Sequence, residues 1–244
     1  MSNPKETRLP AFLALNHRGK TPVFVDILPP SPMFESDSNP VSPTTINVNE
    51  SLAILQYLED YHGPERPLLP PVSQRASRAL VLSRIQETEN LHHAYDALED
   101  AHFEAANSGE MLDGRDRAQL IHAIHSELNY WEVYAGKSTF IGGDQFGLAD
   151  CAFFPLLAYM VHRGFNWRRP RLNLDGDSCG GKENITDGPM DVDAWPNLKA
   201  YFHRVWNRDG ENGCAQKAQP EGWRRRGKAD VWNGSRGKAR NVET

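Results

Sequence analysis

The fold is decided by the stretch Glu50-Ser-Leu-Ala-Ile-Leu-Gln-Tyr-Leu-Glu-Asp-Tyr-His62, which predicts a helix with a carboxylate and a hydroxyl at its start. The free N–H groups of a helix's first turn attract an anionic carboxylate. Ser51 adds a hydroxyl donor to such a carboxylate, and Glu50 pairs with an ammonium group on the same carbon. With Thr21-Pro22 upstream to present bare backbone, these residues predict a receptor for a small zwitterion. Ser and Glu are also ordinary first-turn residues, so the pair fits a helix start without a ligand.

The flanking segments predict a small sheet. A short helix is expected over residues 9–15, and Val23-Phe-Val25 is a β-branched and aromatic run typical of a strand. The returning strand is expected at Thr44–Val48, just before the helix. Between the strands, a stretch rich in Pro, Ser and Asp predicts an inserted surface loop.

The second half of the chain is helical by its apolar spacing. A loop without periodicity is expected over residues 166–193, before the last helix. The four predicted helices are Gln74–Asn107, Arg115–Tyr134, Gly147–His162 and Trp195–Asn207.

Three segments, taken in order, resemble one protein family. Leu9-Pro-Ala-Phe-Leu-Ala-Leu-Asn-His-Arg-Gly-Lys-Thr-Pro-Val-Phe-Val-Asp26 resembles the second helix, loop and third strand of the thioredoxin-like domain in the cytosolic glutathione S-transferase family of fungal and bacterial type. Gly142-Gly-Asp-Gln-Phe-Gly-Leu-Ala-Asp-Cys-Ala-Phe-Phe-Pro155 is similar to the signature of its helical domain. Trp195-Pro-Asn-Leu-Lys-Ala-Tyr-Phe-His-Arg204 resembles a late helix of that domain.

The resemblance implies a mostly helical α+β fold, in which an incomplete thioredoxin-like domain precedes an all-α bundle. We expect the glutathione-binding domain over residues 1–65 and a linker over 66–72. The helical domain is expected over residues 73–208, and a basic, disordered tail over 209–244.

The same resemblance implies glutathione as co-substrate and a set of residues that hold it. In the family a cis-proline follows the loop, and a Glu/Gln-Ser pair opens the next helix. A cis bond before Pro22 turns the Thr21 N–H and C=O towards the cysteinyl backbone of the tripeptide, and Lys20 meets its glycyl carboxylate. Asn16 and Arg18 are weaker candidates, and a solvated loop lysine is the alternative for Lys20. The predicted glutathione-binding residues are Lys20, Thr21, Pro22, Glu50 and Ser51.

The catalytic residue is not predicted. In the family a Ser, Tyr or Cys just after the first strand activates or captures the glutathione sulfur. Only eight residues precede Leu9, whereas a strand, a helix and a second strand need about thirty. We therefore expect the first strand, helix and second strand of the thioredoxin-like domain to be missing from this chain.

The first long helix of the second domain carries a polar cluster. His92, Tyr95 and Asp96 stand at i, i+3 and i+4, and are therefore predicted to share a face. In the resembled fold this helix lines the pocket for the electrophilic co-substrate, so the three are candidates for that pocket. A polar stripe facing solvent or a second subunit is the alternative.

Gly147 and Asp150 are predicted to be structural. With Gly147 as N-cap, Asp150 stands at N3, where its carboxylate can accept from the N–H of the cap residue. We expect this capping interaction to start the helix, and we expect no catalytic role for Asp150.

Composition excludes several classes of function. The net charge of −5 provides no sequence-wide field for nucleic acid. Three widely spaced cysteines fit a reducing compartment, and no Cys/His spacing typical of a metal site occurs. No apolar run is long enough to span a membrane. We expect a cytoplasmic protein without a metal, and no binding to nucleic acid or membrane.

The leading functional hypothesis is a transferase that joins the glutathione thiolate to a hydrophobic electrophilic small molecule, in secondary-metabolite biosynthesis or detoxification. The alternative is a non-catalytic binding or regulatory module of the same fold. By resemblance alone, we expect a homodimer.

Overall fold

The structure, a computed structural model, describes residues 5–29, 44–63, 65, 67–167, 193–208 and 232. Two compact units divide the chain between Leu69 and Pro70, inside the predicted linker. Most of the two predicted inserted loops and all of the predicted tail except Trp232 lie outside the described residues, as do Cys179 and Cys214.

The first unit contains a hairpin of two antiparallel strands. A turn of 3-10 helix (Glu6–Arg8) and helix α1 (Pro10–Leu15) precede strand β1 (Val23–Leu28). Strand β1 pairs with strand β2 (Thr44–Asn49). Both strands are longer than the sequence predicts, because pairing continues to Leu28 in β1 and to Asn49 in β2.

Helix α2 (Ser51–His62) packs beside this hairpin. The Phe24 ring of β1 lies 5.8 Å from the Tyr57 ring of α2. The Tyr57 hydroxyl donates to Asp26 Oδ2 at 2.8 Å, and this bond lowers the pKa of the Asp26 carboxyl. The helix starts at Ser51 with Glu50 as N-cap, so the predicted start at Glu50 is one residue early.

Glu59 of α2 holds the end of the first unit in place. Its Oε1 accepts hydrogen bonds from the N–H groups of Leu68, at 2.9 Å, and Leu69, at 2.8 Å. Charge-assisted bonds of this kind are stronger than neutral ones. The carboxylate therefore fixes the chain just before the boundary between the two units.

Helices joined by loops make up the described part of the second unit. Each of its helices lies within one residue of the predicted bounds, because apolar spacing and Gly, Asp or Pro punctuation mark them locally. The helices are α3 (Arg75–Asn107), α4 (Gly114–Ala135), α5 (Leu148–His162) and α6 (Pro196–Trp206).

Large apolar side chains from all four helices form the core of this unit. Trp131 of α4 stacks on Phe153 of α5 with ring centroids 3.9 Å apart. Burial of aromatic and aliphatic side chains at this density is the main stabilising contribution. The fully buried core side chains include Ile85, Leu91, Leu98, Ile124, Leu128, Trp131, Phe153, Leu157, Leu198 and Tyr201.

Asp150 starts helix α5 from a fully buried position. Its Oδ2 accepts from the Gly147 N–H at 2.8 Å, which is the bond the sequence predicts. Its Oδ1 also accepts from the Ile141 N–H at 3.0 Å, and so ties the preceding loop to the helix. Burial raises the pKa of the Asp150 carboxyl, although both N–H groups act to lower it.

Helix α6 is capped by a side chain from another helix. Glu132 of α4 accepts from the N–H groups of Asn197, at 3.0 Å, and Leu198, at 2.8 Å. These are first-turn donors that no local side chain satisfies, since Trp195 at the N-cap makes no such bond. We expect Glu132→Ala to lower the free energy of unfolding by about 1–2 kcal/mol, the usual cost of losing a cap. Urea denaturation followed by circular dichroism measures the change.

The neighbouring Val133→Ala is the matched control for this capping role. Val133 is 54% exposed on the same turn of α4, so its truncation should change stability by less than about 0.5 kcal/mol. Equal effects of the two substitutions would contradict the assignment of Glu132 as a cap.

Candidate functional site

The register of the hairpin brings the two halves of the predicted site together. Val23 pairs with Asn49 at the first position of the antiparallel ladder, where paired Cα atoms lie about 4.5–5.5 Å apart. Pro22 precedes Val23 and Glu50 follows Asn49, so Pro22 and Glu50 leave the sheet side by side. All the predicted contact residues are exposed there: Lys20, Thr21, Pro22, Glu50 and Ser51.

The backbone at Thr21 is open to a ligand. The Thr21-Pro22 peptide bond is cis, as the resemblance implies. Among the described residues, none forms a hydrogen bond with the Thr21 N–H or C=O. An exposed donor and acceptor on one residue can pair with the backbone of an extended peptide, as a neighbouring β-strand does.

Glu50 has an unusual backbone at the start of α2. It is the only non-glycine residue of the described part with a positive φ, at φ 71° and ψ 127°. A residue with a Cβ atom is strained there by about 1–3 kcal/mol, and such strain is typical of functional sites. The Glu50 side chain makes no capping bond to the helix. Its carboxylate is therefore available for a ligand, an arrangement that nothing in the sequence predicts.

Ser51 is the first residue of α2, and its side chain is exposed. The first-turn N–H groups of a helix lack intrahelical partners and carry the positive end of the helix dipole. The Ser51 hydroxyl lies among these donors. This end of α2 therefore favours an anionic group, with the Glu50 carboxylate beside it to meet a cation.

The loop before Thr21 corrects one weaker prediction. Asn16, a candidate for direct ligand contact, is only 4% exposed and is hydrogen-bonded inside the loop. Arg18 and Lys20 are exposed, so their side chains can reach a ligand. The polar side chain of Asn16 predicts a surface position. The sequence does not reveal that the loop folds around this side chain and buries it.

The predicted substrate cluster on α3 is divided by the structure. His92 and Asp96 share the surface, with His92 Nε2 3.5 Å from Asp96 Oδ2. Tyr95 is 1% exposed and lies edge-on to Tyr159 in the core, at a centroid distance of 5.8 Å. The prediction that the three share an accessible face is wrong for Tyr95. Tyr95, at position i+3, stands at the edge of the polar stripe that contains His92 and Asp96, and packing against α5 turns its side chain inward.

A concavity of about 300 Å³ opens between α3 and α4. It does not include His92, Tyr95 or Asp96. Burial raises the pKa of the Glu127 carboxyl in its wall, and the nearby Glu87 carboxylate acts in the same direction. The lining residues are Glu87, Asn90, Glu127, Tyr130, Trp131 and Tyr134.

Two features are absent from the described part of the chain. None of the helices found there combines the length and the apolar character needed to cross a membrane. No three His, Cys, Asp or Glu side chains in the same residues gather as ligands for a metal ion.

Comparisons with known proteins agree on one family. Residues 115–204 match the family model "Glutathione S-transferase, C-terminal domain". A probable glutathione S-transferase from Oryza sativa subsp. japonica, GSTU1, is 29% identical over 147 residues, which are 57% of this chain and 62% of that protein. A solved glutathione S-transferase from the Antarctic clam Laternula elliptica is 25% identical, with a TM-score of 0.56 over 83% of this chain and 72% of its own. The chain is similar to glutathione S-transferases in both sequence and fold.

Further structures of the glutathione S-transferase family share the fold at lower identity. A glutathione transferase homologue from Drosophila mojavensis, with bound glutathione, is 18% identical and has a TM-score of 0.59 over 94% of this chain and 80% of its own. This chain spans 62% of the length of its relative from Oryza sativa. The predicted resemblance to the glutathione S-transferase family and the mostly helical α+β fold are confirmed.

Proposed function

We propose that this chain binds glutathione at the N-terminal end of α2 and acts as a glutathione S-transferase. The observation that carries the proposal is the pairing of Val23 with Asn49, which sets the open Thr21-Pro22 backbone beside Glu50 and Ser51. A peptide ligand with a zwitterionic end needs these two kinds of contact next to each other.

Each charged group of glutathione has a chemical counterpart in this site. The γ-glutamyl carboxylate accepts from the Ser51 hydroxyl and the first-turn N–H groups of α2. The ammonium group on the same carbon pairs with the Glu50 carboxylate. The cysteinyl backbone pairs with the N–H and C=O of Thr21, and the glycyl carboxylate meets Lys20. The Drosophila mojavensis homologue, a chain of the same fold that holds glutathione, supports this choice of ligand.

The proposed reaction is attack of the glutathione sulfur on an electrophilic carbon of a hydrophobic small molecule. The thiol loses its proton, the sulfur forms a bond to carbon, and the leaving group departs with its electron pair. A thiol of pKa about 8.5 is mostly protonated at neutral pH, so the protein must stabilise the thiolate. No residue is assigned to this step.

By family resemblance, we also propose a homodimer, a cytoplasmic location and a role in secondary metabolism or detoxification. His92 and Asp96 are candidate contacts for the electrophile.

A second candidate function is a glutathione-binding module without turnover. It is favoured by the composition of the site, since the residues assigned to it hold the peptide backbone and the charged ends, and none activates the thiol. Turnover of 1-chloro-2,4-dinitrobenzene by protein that binds glutathione distinguishes the two functions. Binding without conjugate formation favours the module.

Substitutions at the start of α2 test the site directly. We expect Glu50→Ala and Ser51→Ala each to weaken glutathione binding about five- to a hundredfold, because each removes a hydrogen-bonding partner worth about 1–3 kcal/mol. Isothermal titration calorimetry with glutathione measures the dissociation constants. Asp60→Ala is the matched control, since Asp60 is an exposed carboxylate on the same helix but far from its start. Unchanged affinity in both site variants would reject the proposed pocket.

Glu50→Gly separates the side chain from the strained backbone. Glu50→Gly removes the same carboxylate as Glu50→Ala, so the two variants should bind glutathione equally weakly. Because glycine adopts φ 71° without strain, Glu50→Gly should be at least as stable as Glu50→Ala. Relief of about 1–3 kcal/mol of strain outweighs the extra chain entropy of about 0.5–1 kcal/mol. Thermal unfolding of the two variants without ligand provides the comparison.

A further inference from the structure

We propose that Asn16 is a positioning residue that aims the Thr21 N–H at the bound ligand. The proposal rests on the function proposed above, in which the Thr21 backbone pairs with the cysteinyl unit of glutathione. Asn16 is only 4% exposed, so it acts without touching the ligand. Its amide works through the peptide group that joins Lys20 to Thr21.

Both ends of the Asn16 side chain are hydrogen-bonded within the loop. Its Nδ2 donates to the Lys20 carbonyl at 2.7 Å, and its Oδ1 accepts from the Arg18 N–H at 3.0 Å. The Asn16 carbonyl also accepts from the Gly19 N–H at 2.9 Å. Residues 16–20 are therefore folded around this one side chain.

The rigidity of the peptide group carries the effect to Thr21. The bond between Lys20 and Thr21 is trans, because the cis bond of this loop is the following one. In a trans peptide the C=O and the N–H point in opposite directions within one plane. Since the Asn16 amide holds the Lys20 C=O, the Thr21 N–H points away from Asn16. The donor is thus oriented before the ligand binds, which removes part of the ordering cost of binding.

The rest of the loop leaves little room for another arrangement. Gly19 has φ 61°, and a Cβ atom there would lie 2.8 Å from the Thr7 carbonyl oxygen. The chain at Gly19 is therefore packed against the segment that precedes α1. The packing at Gly19 and the hydrogen bonds of Asn16 together hold the loop, so the loop presents Thr21 in one orientation.

Only a side chain that both donates and accepts can make the two bonds of Asn16. Aspartate keeps an acceptor for the Arg18 N–H, but an ionised carboxylate has no donor for the Lys20 carbonyl and repels it. Alanine removes both bonds without adding repulsion. The two substitutions therefore distinguish loss of the donor from loss of the whole contact.

The test compares two probes, glutathione and γ-glutamylmethylamide, which lacks the cysteinyl carbonyl that the Thr21 N–H would bind. We expect Asn16→Asp and Asn16→Ala to weaken glutathione binding about tenfold and to leave the affinity for γ-glutamylmethylamide unchanged. Glu50→Ala should weaken both probes. His17→Ala, at an exposed position of the same loop, should weaken neither. NMR titration measures all the affinities.

A merely structural role for Asn16 would weaken both probes together, and that result would overturn the proposal. Unchanged glutathione affinity in both variants would overturn it as well. If wild-type protein binds neither probe, the proposed function fails together with this inference. If wild-type binds both and the Asn16 variants do not discriminate, only the inference fails.

A measurement on wild-type protein makes the test independent of how well the variants fold. The Thr21 amide resonance should shift downfield on addition of glutathione and stay in place on addition of γ-glutamylmethylamide, because only glutathione offers an acceptor to this N–H. An unshifted Thr21 amide in the glutathione complex would overturn the proposal.

Discussion

Asp150→Ala is expected to cause one of the largest losses of stability in this protein. Its carboxylate is fully buried and accepts from the N–H groups of Gly147 and Ile141. Leaving a buried donor unpaired costs about 1–3 kcal/mol, and the substitution leaves two. Urea unfolding followed by tryptophan fluorescence measures the loss. Asp144→Ala, which removes an exposed carboxylate from the same loop, should change stability by less than about 0.5 kcal/mol; equal effects would contradict the structural role of Asp150.

Asp150 also makes stability depend on pH in a direction that can be checked. Burial raises its pKa above the ordinary value of 3.8, so the folded protein holds this proton more tightly than the unfolded chain does. The stability that the protonated form contributes is complete below pH 3.8 and is lost as the pH rises through the folded pKa. Asp150→Asn has no proton to lose, so the stability of wild-type relative to this variant should fall with rising pH across that window. A rise in that relative stability would show that the two N–H groups lower the pKa of Asp150 by more than burial raises it.

Glu99→Ala is expected to have the second large effect on stability. Glu99 Oε1 lies 3.1 Å from Arg163 Nη2 and accepts from the Tyr159 hydroxyl at 2.8 Å. The Arg163 side chain is 3% exposed and that of Glu99 is 13% exposed. Glu99→Ala removes one member of a buried ion pair, a change that typically costs about 3–5 kcal/mol. The free energy of unfolding in guanidinium chloride measures the effect.

Two comparisons show whether burial is the cause of the Glu99 effect. The double variant Glu99→Leu with Arg163→Met should be more stable than Glu99→Ala, since it removes both charges and keeps apolar volume. Asp193→Ala breaks the more exposed pair with Lys199 and should cost only about 0.2–1 kcal/mol. A cost for Asp193→Ala equal to that of Glu99→Ala would contradict the role of burial.

The helices could be predicted from sequence because their signals are local. Apolar spacing along α3 and α4, the Asp113-Gly114 start of α4 and the Gly63 end of α2 each act within one or two turns of chain. Asp150 was predicted to reach the Gly147 N–H because the two are three residues apart. Its second bond, to Ile141, could not be predicted, since it depends on how the preceding loop returns to the helix.

At the candidate site, too, some features could be predicted from sequence and others depend on tertiary structure. Pro22, Glu50 and Ser51 could be named from residue type and family resemblance. The positive φ of Glu50 could not be, because L-residues rarely adopt it unless the surrounding structure imposes it. The burial of Asn16 and Tyr95 also escaped prediction, since polar residues and residues at the edge of a helical stripe are turned inward only by tertiary packing.

The sequence by itself determined the helices, the resemblance to the glutathione S-transferase family and the residue types of the site. Tertiary structure alone decided that Pro22 and Glu50 lie side by side, that Glu132 caps α6 and that Glu99 meets Arg163. The physical reason is range: helix propensity, capping and apolar periodicity act over a few residues. The strand register and the buried polar contacts join positions far apart in the chain, and these become neighbours only when the whole unit packs.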